Sequence, residues 1–578
     1  MVHITIDNKE AFVKEGTTVL EAAGQVHVII PSLCHFEGLS EYGGCRVCMV
    51  EVEKEPRLTP ACTRIASEGM VVKTSTDRVR RARKMNLELM LANHPYDCLS
   101  CVRNQKCDLQ RLAYEFGVEK VRFSGSKPDY PVDSTSPSIV RDPNLCILCG
   151  RCVRTCAEVQ GIKAVDFSHR GHISKVSTAF EEDIVKVECV NCGQCILACP
   201  VGAIKERSSI EDVWAALEDS TKHVVVQEAP AVRVALGEEF GMEPGALVEG
   251  KMYSALRELG FDKVFDTNFT ADLTIMEEGS ELIERITKGG VLPLITSCSP
   301  GWIKYCEHFY PDLLPHLSTC KSPQQMFGTL AKTYYAEKAG LDPASIVSVS
   351  VMPCTAKKFE CQRPEMTSSG YKDVDYVLTT RELASMIRQA GIDFTHERES
   401  KVDPLIGTYS GAGTIFGATG GVMEAALRTA YELITKSTLP KLEFKSVRGM
   451  EGIKEASVQI GDLNVKVAVA HGLSNAKKLM DKVRTGEADY HFIEIMTCPG
   501  GCVGGGGQPI GVTLKKRMER AKGLYKEDSG MALRKSHENP QVIKLYEEYL
   551  GKPLGHRSHE LLHTGYIRRG LYGRSENA

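Results

Sequence analysis

The sequence predicts a multidomain protein of mixed class, with small cysteine-rich α+β units up to residue 209 and one large α/β domain after them. Three observations carry this. The chain has 578 residues, enough for about three to five domains. Most of its 22 cysteines fall in tight groups before residue 200, and one cysteine pattern occurs twice, an internal repeat. Past residue 209 those groups give way to apolar, strand-like runs, such as Val224-Val-Val-Gln and Val347-Ser-Val-Ser-Val-Met, alternating with amphipathic helical stretches.

The elements follow in order. Residues 1–78 read as a β-rich unit: His3-Ile-Thr-Ile alternates like a strand, and Gly16-Thr-Thr-Val-Leu-Glu-Ala-Ala turns into a helix. Residues 79–126 are charged and helical in pattern, as in Arg80-Arg-Ala-Arg-Lys-Met-Asn-Leu-Glu-Leu-Met-Leu. A Pro/Ser stretch from Ser124 to Ser138 reads as a linker. Residues 127–209 hold the repeat, and 210–578 form the large domain with its C-terminal tail.

Composition excludes several roles. With 71 basic and 74 acidic side chains the net charge is −3, which supports neither nucleic-acid nor membrane-surface binding. Mean hydropathy is −0.17, no stretch has the length of a membrane span, and the start lacks a secretory pattern, so a cytoplasmic setting is expected. In a long chain without an export signal, clustered cysteines point to metal rather than disulfides.

Cys34, Cys45, Cys48 and Cys62 come first. Their Gly-Gly-Cys-x-x-Cys loop, behind a β-rich pattern, favours a [2Fe–2S] site over four-cysteine zinc. His94, Cys98, Cys101 and Cys107 would suit structural zinc equally well, and the neighbouring groups tip the reading to [4Fe–4S] with one imidazole ligand. The repeat is the strongest signal: Cys146-x2-Cys149-x2-Cys152-x3-Cys156 recurs as Cys189-x2-Cys192-x2-Cys195-x3-Cys199-Pro200. This is the bacterial ferredoxin run, whose fourth cysteine ligates the other cluster. One [4Fe–4S] is therefore expected on Cys146, Cys149, Cys152 and Cys199, the other on Cys189, Cys192, Cys195 and Cys156.

Four such centres imply electron transfer toward a redox site. Gly411-Ala-Gly413-Thr-Ile-Phe416 has Phe416 where a dinucleotide fingerprint needs its third glycine, and the Gly504–Gly507 run is not followed by Lys-Ser/Thr, so both read as tight turns. Three further segments stand out: Thr296-Ser-Cys298-Ser299-Pro-Gly-Trp302, Met352-Pro-Cys354-Thr-Ala-Lys357-Lys, and Glu494-Ile-Met496-Thr-Cys498-Pro-Gly-Gly-Cys502-Val-Gly-Gly-Gly-Gly-Gln-Pro. With them the chain closely resembles the [FeFe]-hydrogenases of the multi-cluster clostridial type, some of which are catalytic subunits of NAD(P)-linked complexes. The likeness runs from the N-terminal cluster unit to Lys535-Ser-His-Glu-Asn539.

The resemblance implies an N-terminal β-grasp [2Fe–2S] domain, a His/Cys3 [4Fe–4S] domain, a 2[4Fe–4S] ferredoxin domain and a two-lobed α/β domain. The last would bind the H-cluster, a [4Fe–4S] cubane joined by one cysteine sulfur to a diiron unit with CO, cyanide and azadithiolate. With one [2Fe–2S] and three accessory [4Fe–4S] clusters, the chain would catalyse 2 H+ + 2 e− ⇌ H2. Cys354, Cys498 and Cys502 would hold the cubane, Cys502 as the bridge. Lys357 would hold a cyanide ligand, and Ala229, Pro230, Met352, Met496 and Phe416 would line the diiron pocket. Protons would pass through Cys298, Glu278, Ser318, Glu281 and Arg285. The family's Thr-Ser-Cys-Cys-Pro is Thr296-Ser-Cys298-Ser299-Pro here, so Ser299 stands at the fourth cubane position. Three outcomes are open: oxygen ligation by Ser299, a water or shifted Cys298 on that iron, or a variant of altered activity. Cys306, Cys320 and Cys361 match no ligand position. Implied partners are H2 and protons, a ferredoxin-type redox protein or NAD(P)-linked flavoprotein subunits, and maturation proteins for the diiron unit; nucleic acid and membrane are not among them. Related cluster-assembly proteins lack the diiron motifs, and sensors usually lose the cysteine kept here as Cys298.

Overall fold

The computed structural model describes residues 1–125, 127 and 129–571; Ser126 and Pro128 of the linker stretch, and residues 572–578 of the large domain, lie outside the described residues. The chain forms two compact units. One comprises Met1–Val159, Lys163–Val187 and Ala198–Lys205; the other comprises Gln160–Ile162, Glu188–Leu197 and Glu206–Ala578.

The first unit opens with a five-stranded sheet in the order Lys9–Val13, Val2–Ile6, Met70–Lys73, Met49–Val52, Thr59–Pro60. Alternation puts Ile4, Ile6, Ala11 and Val13 on one face, where Val19, Ala22 and Ala23 of the helix Val19–Gln25 cover them. That helix starts where the sequence reading placed it, because Thr18 and Glu21 form a reciprocal capping box. Helices Asp77–Ala92 and Asp108–Glu115 bracket the His94–Cys107 segment. The described residues of the Pro/Ser stretch are mostly exposed up to Thr135, as in a linker, and only its end is packed. Ser136 and Ser138 are buried, Asp133 pairs with Arg141, and the Ser136 hydroxyl accepts from the Ser138 and Ile139 amides. Hydroxyls that satisfy local backbone donors can be buried at little cost.

The second unit contains two four-stranded sheets. In one, Lys263–Asp266, His223–Glu228, Ile346–Met352 and Tyr376–Thr379 lie in that order, all parallel. Its strand His223–Glu228 is apolar on both faces at its start: Val224 and Val226 point into one core, Val225 into another. The second sheet runs Leu294–Ile295, Phe492–Met496, Leu463–His471, Ile453–Ile460; the first three are parallel and the last is antiparallel. Four segments singled out in the sequence leave the carboxyl ends of parallel strands: Ala229-Pro230, Pro353-Cys354, Thr296–Ser299 and Thr497–Cys502. Strand ends of this kind are where parallel sheets place ligands.

Neither glycine run is a simple turn. Ser410 caps a helical turn at Gly411–Thr414. In the Gly504–Gly507 run, a β-carbon on Gly505 would lie 2.1 Å from the Pro353 carbonyl oxygen, and one on Gly506 2.2 Å from that of Cys192. Glycine is required there because three backbones meet.

The 22-residue helix Thr267–Lys288 crosses this unit and is fixed by buried Asp272. Its carboxylate accepts from the Ser410 amide (2.8 Å) and hydroxyl (2.6 Å), the Ser536 hydroxyl (2.8 Å) and the Asn539 amide (2.9 Å), which anchors the Lys535–Asn539 segment. Asp272→Ala strands these donors, so it should lower the stability of this unit by about 3 kcal/mol or more. Both tryptophans, Trp214 and Trp302, lie in this unit, so denaturant unfolding followed by their fluorescence checks it.

Candidate active site

The three cysteine-bearing loops of the second unit converge on a cavity of about 80 Å³. Cys354, Cys498 and Cys502 line it together with Cys298, Ser299 and Lys357; Ala229, Pro230, Met352, Met496 and Phe416 form its apolar wall. Every residue the sequence reading assigned to the diiron pocket therefore faces one space. The thiols make no disulfide. Burial pushes all three upward, Cys502 to about 12, with the charge of neighbouring Cys354 adding to it. Such thiols stay protonated near neutral pH unless a cation replaces the proton, which is the behaviour of a metal site. Lys357 Nζ stands at the edge, 3.1 Å from the Cys298 carbonyl oxygen and 2.9 Å from Glu360 Oε2. Its ammonium suits an anionic ligand at the wall.

A line of polar side chains leads away from the cavity. Burial first, then the charge of Glu278, holds the Cys298 thiol well above its ordinary range, so it keeps its proton. Glu278, 2% exposed, is pushed up to about 8 by burial first and by the charge of Glu281 second. Ser318 Oγ donates to Glu281 Oε2 at 2.9 Å, and Glu281 Oε1 accepts from Arg285 Nη2 at 2.6 Å. Arg285, with 13% of its side chain exposed, is the outermost member. Glu278 and Glu281 share a face of the helix at i, i+3.

The Cys189–Cys195 loop reaches the same cavity within this unit. Thr355 Oγ1 donates to the Asn191 carbonyl (2.7 Å) and Gln194 Nε2 to that of Gly504 (2.9 Å), lacing the Cys189–Cys195 loop to the Cys354 and Cys502 loops. Burial, with the charges of Cys195 and Cys498 adding to it, raises the Cys192 thiol. In the first unit, Cys48 and Cys62 sulfurs lie 3.4 Å apart, and Cys34 hydrogen-bonds Cys45 and Cys62. His94 Nδ1 is buried without a hydrogen-bond partner, and burial keeps the imidazole neutral, ready to ligate. Cys107 caps the helix Asp108–Glu115. Burial lifts Cys146 and Cys149 to about 11 and about 12, in each case helped by the charge of Cys199. The Cys156 sulfur accepts from the Ala164 amide at 3.3 Å. Arg103 donates to the Cys199 carbonyl (2.6 Å), while Arg154 donates to the Cys34 and Ser40 carbonyls, so the His94–Cys107 and Cys34–Cys62 groups both border the ferredoxin-type segment.

Sequence reasoning missed three buried residues that place this machinery. Glu360 Oε2 gathers Lys357, Ser322 (2.9 Å) and Gln324 (3.0 Å). Its position three after Lys357 on a helix was the available signal. Glu494 accepts from the Gly420 and Met423 amides, both at 2.7 Å, and so caps the helix Gly421–Thr435 behind Phe416. Thr497 pairs with Ser299: the hydroxyls are 2.8 Å apart and the Thr497 amide donates to Ser299 Oγ at 3.2 Å.

Comparison with known proteins decides the family. Residues 222–506 match the model for the iron only hydrogenase large subunit, C-terminal domain, and 514–569 that for the iron hydrogenase small subunit. The chain is 50% identical to NADP-reducing hydrogenase subunit HndD of Solidesulfovibrio fructosivorans, over 98% of this chain and 99% of that one. The chain belongs to the iron-only hydrogenases. It is also 44% identical to iron hydrogenase 1 of Clostridium pasteurianum, covering 98% of this chain and all of that one. A solved structure of apo [FeFe]-hydrogenase HydA1 from Chlamydomonas reinhardtii superposes with a TM-score of 0.58 at 46% identity, covering 63% of this chain and all of that one. Upstream, residues 1–77 match a 2Fe-2S iron-sulfur cluster binding domain, 83–122 the NADH-ubiquinone oxidoreductase-G iron-sulfur binding region, and 145–203 a 4Fe-4S dicluster domain. The protein is thus an [FeFe]-hydrogenase with an H-cluster and accessory [2Fe–2S] and [4Fe–4S] centres. Among the described residues no helix is long and apolar enough to cross a membrane.

A proton carrier at Glu278 would give this hydrogenase a pH limit. Burial holds its carboxyl neutral up to about 8, so proton delivery through it, and with it H2 evolution, should fall as pH rises through that value. Glu278→Gln cannot exchange the proton and should cut turnover about 100-fold or more at every pH, removing that step from the profile. Rate–pH curves of the two proteins, with H-cluster infrared bands as the loading control, check this.

Proposed function

We infer that Cys354, Cys498, Cys502 and Ser299 hold the cubane, with Cys502 bridging to the diiron unit, and that the hydrogenase works as the catalytic subunit of an NAD(P)-linked assembly in the cytoplasm. The observation that carries the site is the convergence of three thiols, free of disulfides, on a cavity from which a chain of buried acids leads outward. When bound, the H-cluster supplies the two-electron reduction of protons to H2 and its reverse. The residues do the rest. Met352, Met496, Phe416, Ala229 and Pro230 keep water from the cavity, Lys357 holds an anionic ligand, and Cys298 passes protons to and from Glu278. Ser318, Glu281 and Arg285 carry them to the surface. Accessory ligands are Cys34, Cys45, Cys48 and Cys62 for [2Fe–2S], His94, Cys98, Cys101 and Cys107 for one [4Fe–4S], and the two ferredoxin runs for the others.

Ser299 replaces a thiolate with a harder oxygen. The Thr497 amide and hydroxyl both approach its Oγ, and an oxygen receiving two hydrogen bonds is stabilised as the anion, the form a ligand needs. Ser299→Cys should therefore shift the midpoint potential and paramagnetic resonance signal of the cubane, and Ser299→Ala should lose iron from it. Unchanged iron content and signal in Ser299→Ala would remove Ser299 from the ligand set.

The near full-length match to a subunit of an NADP-reducing hydrogenase supports the complex, as does the lack of a nucleotide fingerprint in this sequence. Purified alone and loaded with the diiron unit, the chain should evolve H2 from reduced viologen. H2-dependent NADP reduction should appear only once a flavoprotein partner is added; if the chain reduces NADP by itself, the assembly reading fails.

A further inference from the structure

Proton transfer needs Ser318 and Glu281 within hydrogen-bonding distance, yet they come from separate pieces of chain. Glu281 rides on the helix Thr267–Lys288, and Ser318 lies on the loop after Pro311–His316. The C-terminal segment grips both pieces. On the loop, the Tyr566 hydroxyl donates to the Ser318 carbonyl (2.7 Å), the Thr564 amide to that of Thr319 (2.8 Å), and the Lys321 amide to that of Leu562 (2.8 Å). On the helix, Glu277, next to Glu278 and fully buried, takes the Tyr546 hydroxyl at 2.5 Å and the Leu554 amide at 2.8 Å. His563 joins the two grips: its Nδ1 lies 2.8 Å from Thr319 Oγ1 and its Nε2 3.2 Å from Glu277 Oε2. Its side chain is 1% exposed, and the ring of His559 stacks on it at 4.6 Å. An imidazole bonded through both nitrogens and covered on one face has a single orientation available.

We propose that His563, together with Glu277, is a positioning residue for proton transfer. It fixes the loop bearing Ser318 against the helix bearing Glu278 and Glu281. His563 lines no part of the cavity and acts only through Ser318 and Glu281. The relay thereby depends on the segment that matches the small-subunit model, residues 514–569. The Thr319 amide, which donates to Glu281 Oε2 at 3.2 Å, couples the gripped loop directly to the acid. The proposal rests on the hydrogenase reading.

The test is His563→Ala in the full-length, cluster-loaded enzyme, with H-cluster infrared bands and accessory-cluster paramagnetic resonance recorded beside the rates. Displacing a relay member by a fraction of an ångström should lower kcat roughly tenfold. KM for the dye and the spectra should stay as in the parent, and the solvent deuterium isotope effect should rise as proton transfer becomes limiting. His563→Asn, which keeps the bond to Thr319, should recover most of the rate. An unchanged rate and isotope effect would overturn the proposal. So would loss of the H-cluster bands in step with the rate, which marks a purely structural role. Should His563→Ala not fold, Tyr566→Phe, which removes one bond to the Ser318 carbonyl, is judged by the same isotope effect. A parent enzyme with full H-cluster bands and no turnover would instead fail the hydrogenase reading itself.

Discussion

Three thiols buried in one cavity are the constraint around which the second unit is arranged. Burial makes each thiolate costly on its own, so the cysteines cannot draw their loops together; the scaffold has to bring them together first. It does so with two sheets whose parallel strand ends deliver Cys354, Cys298, Cys498 and Cys502, and with contacts between the loops that carry them. Gly505 and Gly506 let backbones touch, Gln194 and Thr355 tie the Cys189–Cys195 loop down, and Glu494 pins the helix behind Phe416. The metal then adds its binding free energy to a framework already formed.

Charge follows a related rule. Most buried charges in this unit are matched: Arg233 with Glu228, Asp266 and Glu527 beside the Ala229-Pro230 turn, Lys357 with Glu360, and Arg428 with Glu424 and Asp528. An unpaired buried charge would cost several kcal/mol, about what measurements give when one partner of a buried pair is removed. Glu278 takes part in no ion pair among the described residues; burial first and the charge of Glu281 second favour its neutral form. Glu281, three residues on, instead meets Arg285 at 2.6 Å. Two carboxyls on one helix face therefore have different environments, set by what faces them.

The electron side uses close backbone packing. The charge of Cys498 reaches Cys192, and Asn191 and Gly504 accept hydrogen bonds from Thr355 and Gln194, so the Cys189–Cys195 loop packs directly on the Cys354 and Cys502 loops. In the first unit Arg103 and Arg154 grip the Cys199 and Cys34 carbonyls, which holds these cysteine loops in place.

The sequence by itself determined the cofactors and the broad architecture. Cysteine spacing within a loop is local geometry, so the ferredoxin runs and the strand and helix periods could be read directly, whereas Cys354, Cys498 and Cys502 and the pair Glu278 and Glu281 stood out only through the family resemblance. Other features belong to the folded chain because they join distant residues. Glu360 and Glu494 look like ordinary charged side chains until their partners arrive from other elements. The end of the Ser124–Ser138 stretch reads as linker like the rest, until the Ser136 hydroxyl meets the Ser138 and Ile139 amides and Ser136 and Ser138 become buried. The Gly504–Gly507 run reads as a turn until Pro353 and Cys192 press against it. Tertiary structure alone could bring Thr497 to Ser299 and Thr319 to His563, across separations of 198 and 244 residues, because hydrogen-bond partners so far apart leave no periodic trace in the chain.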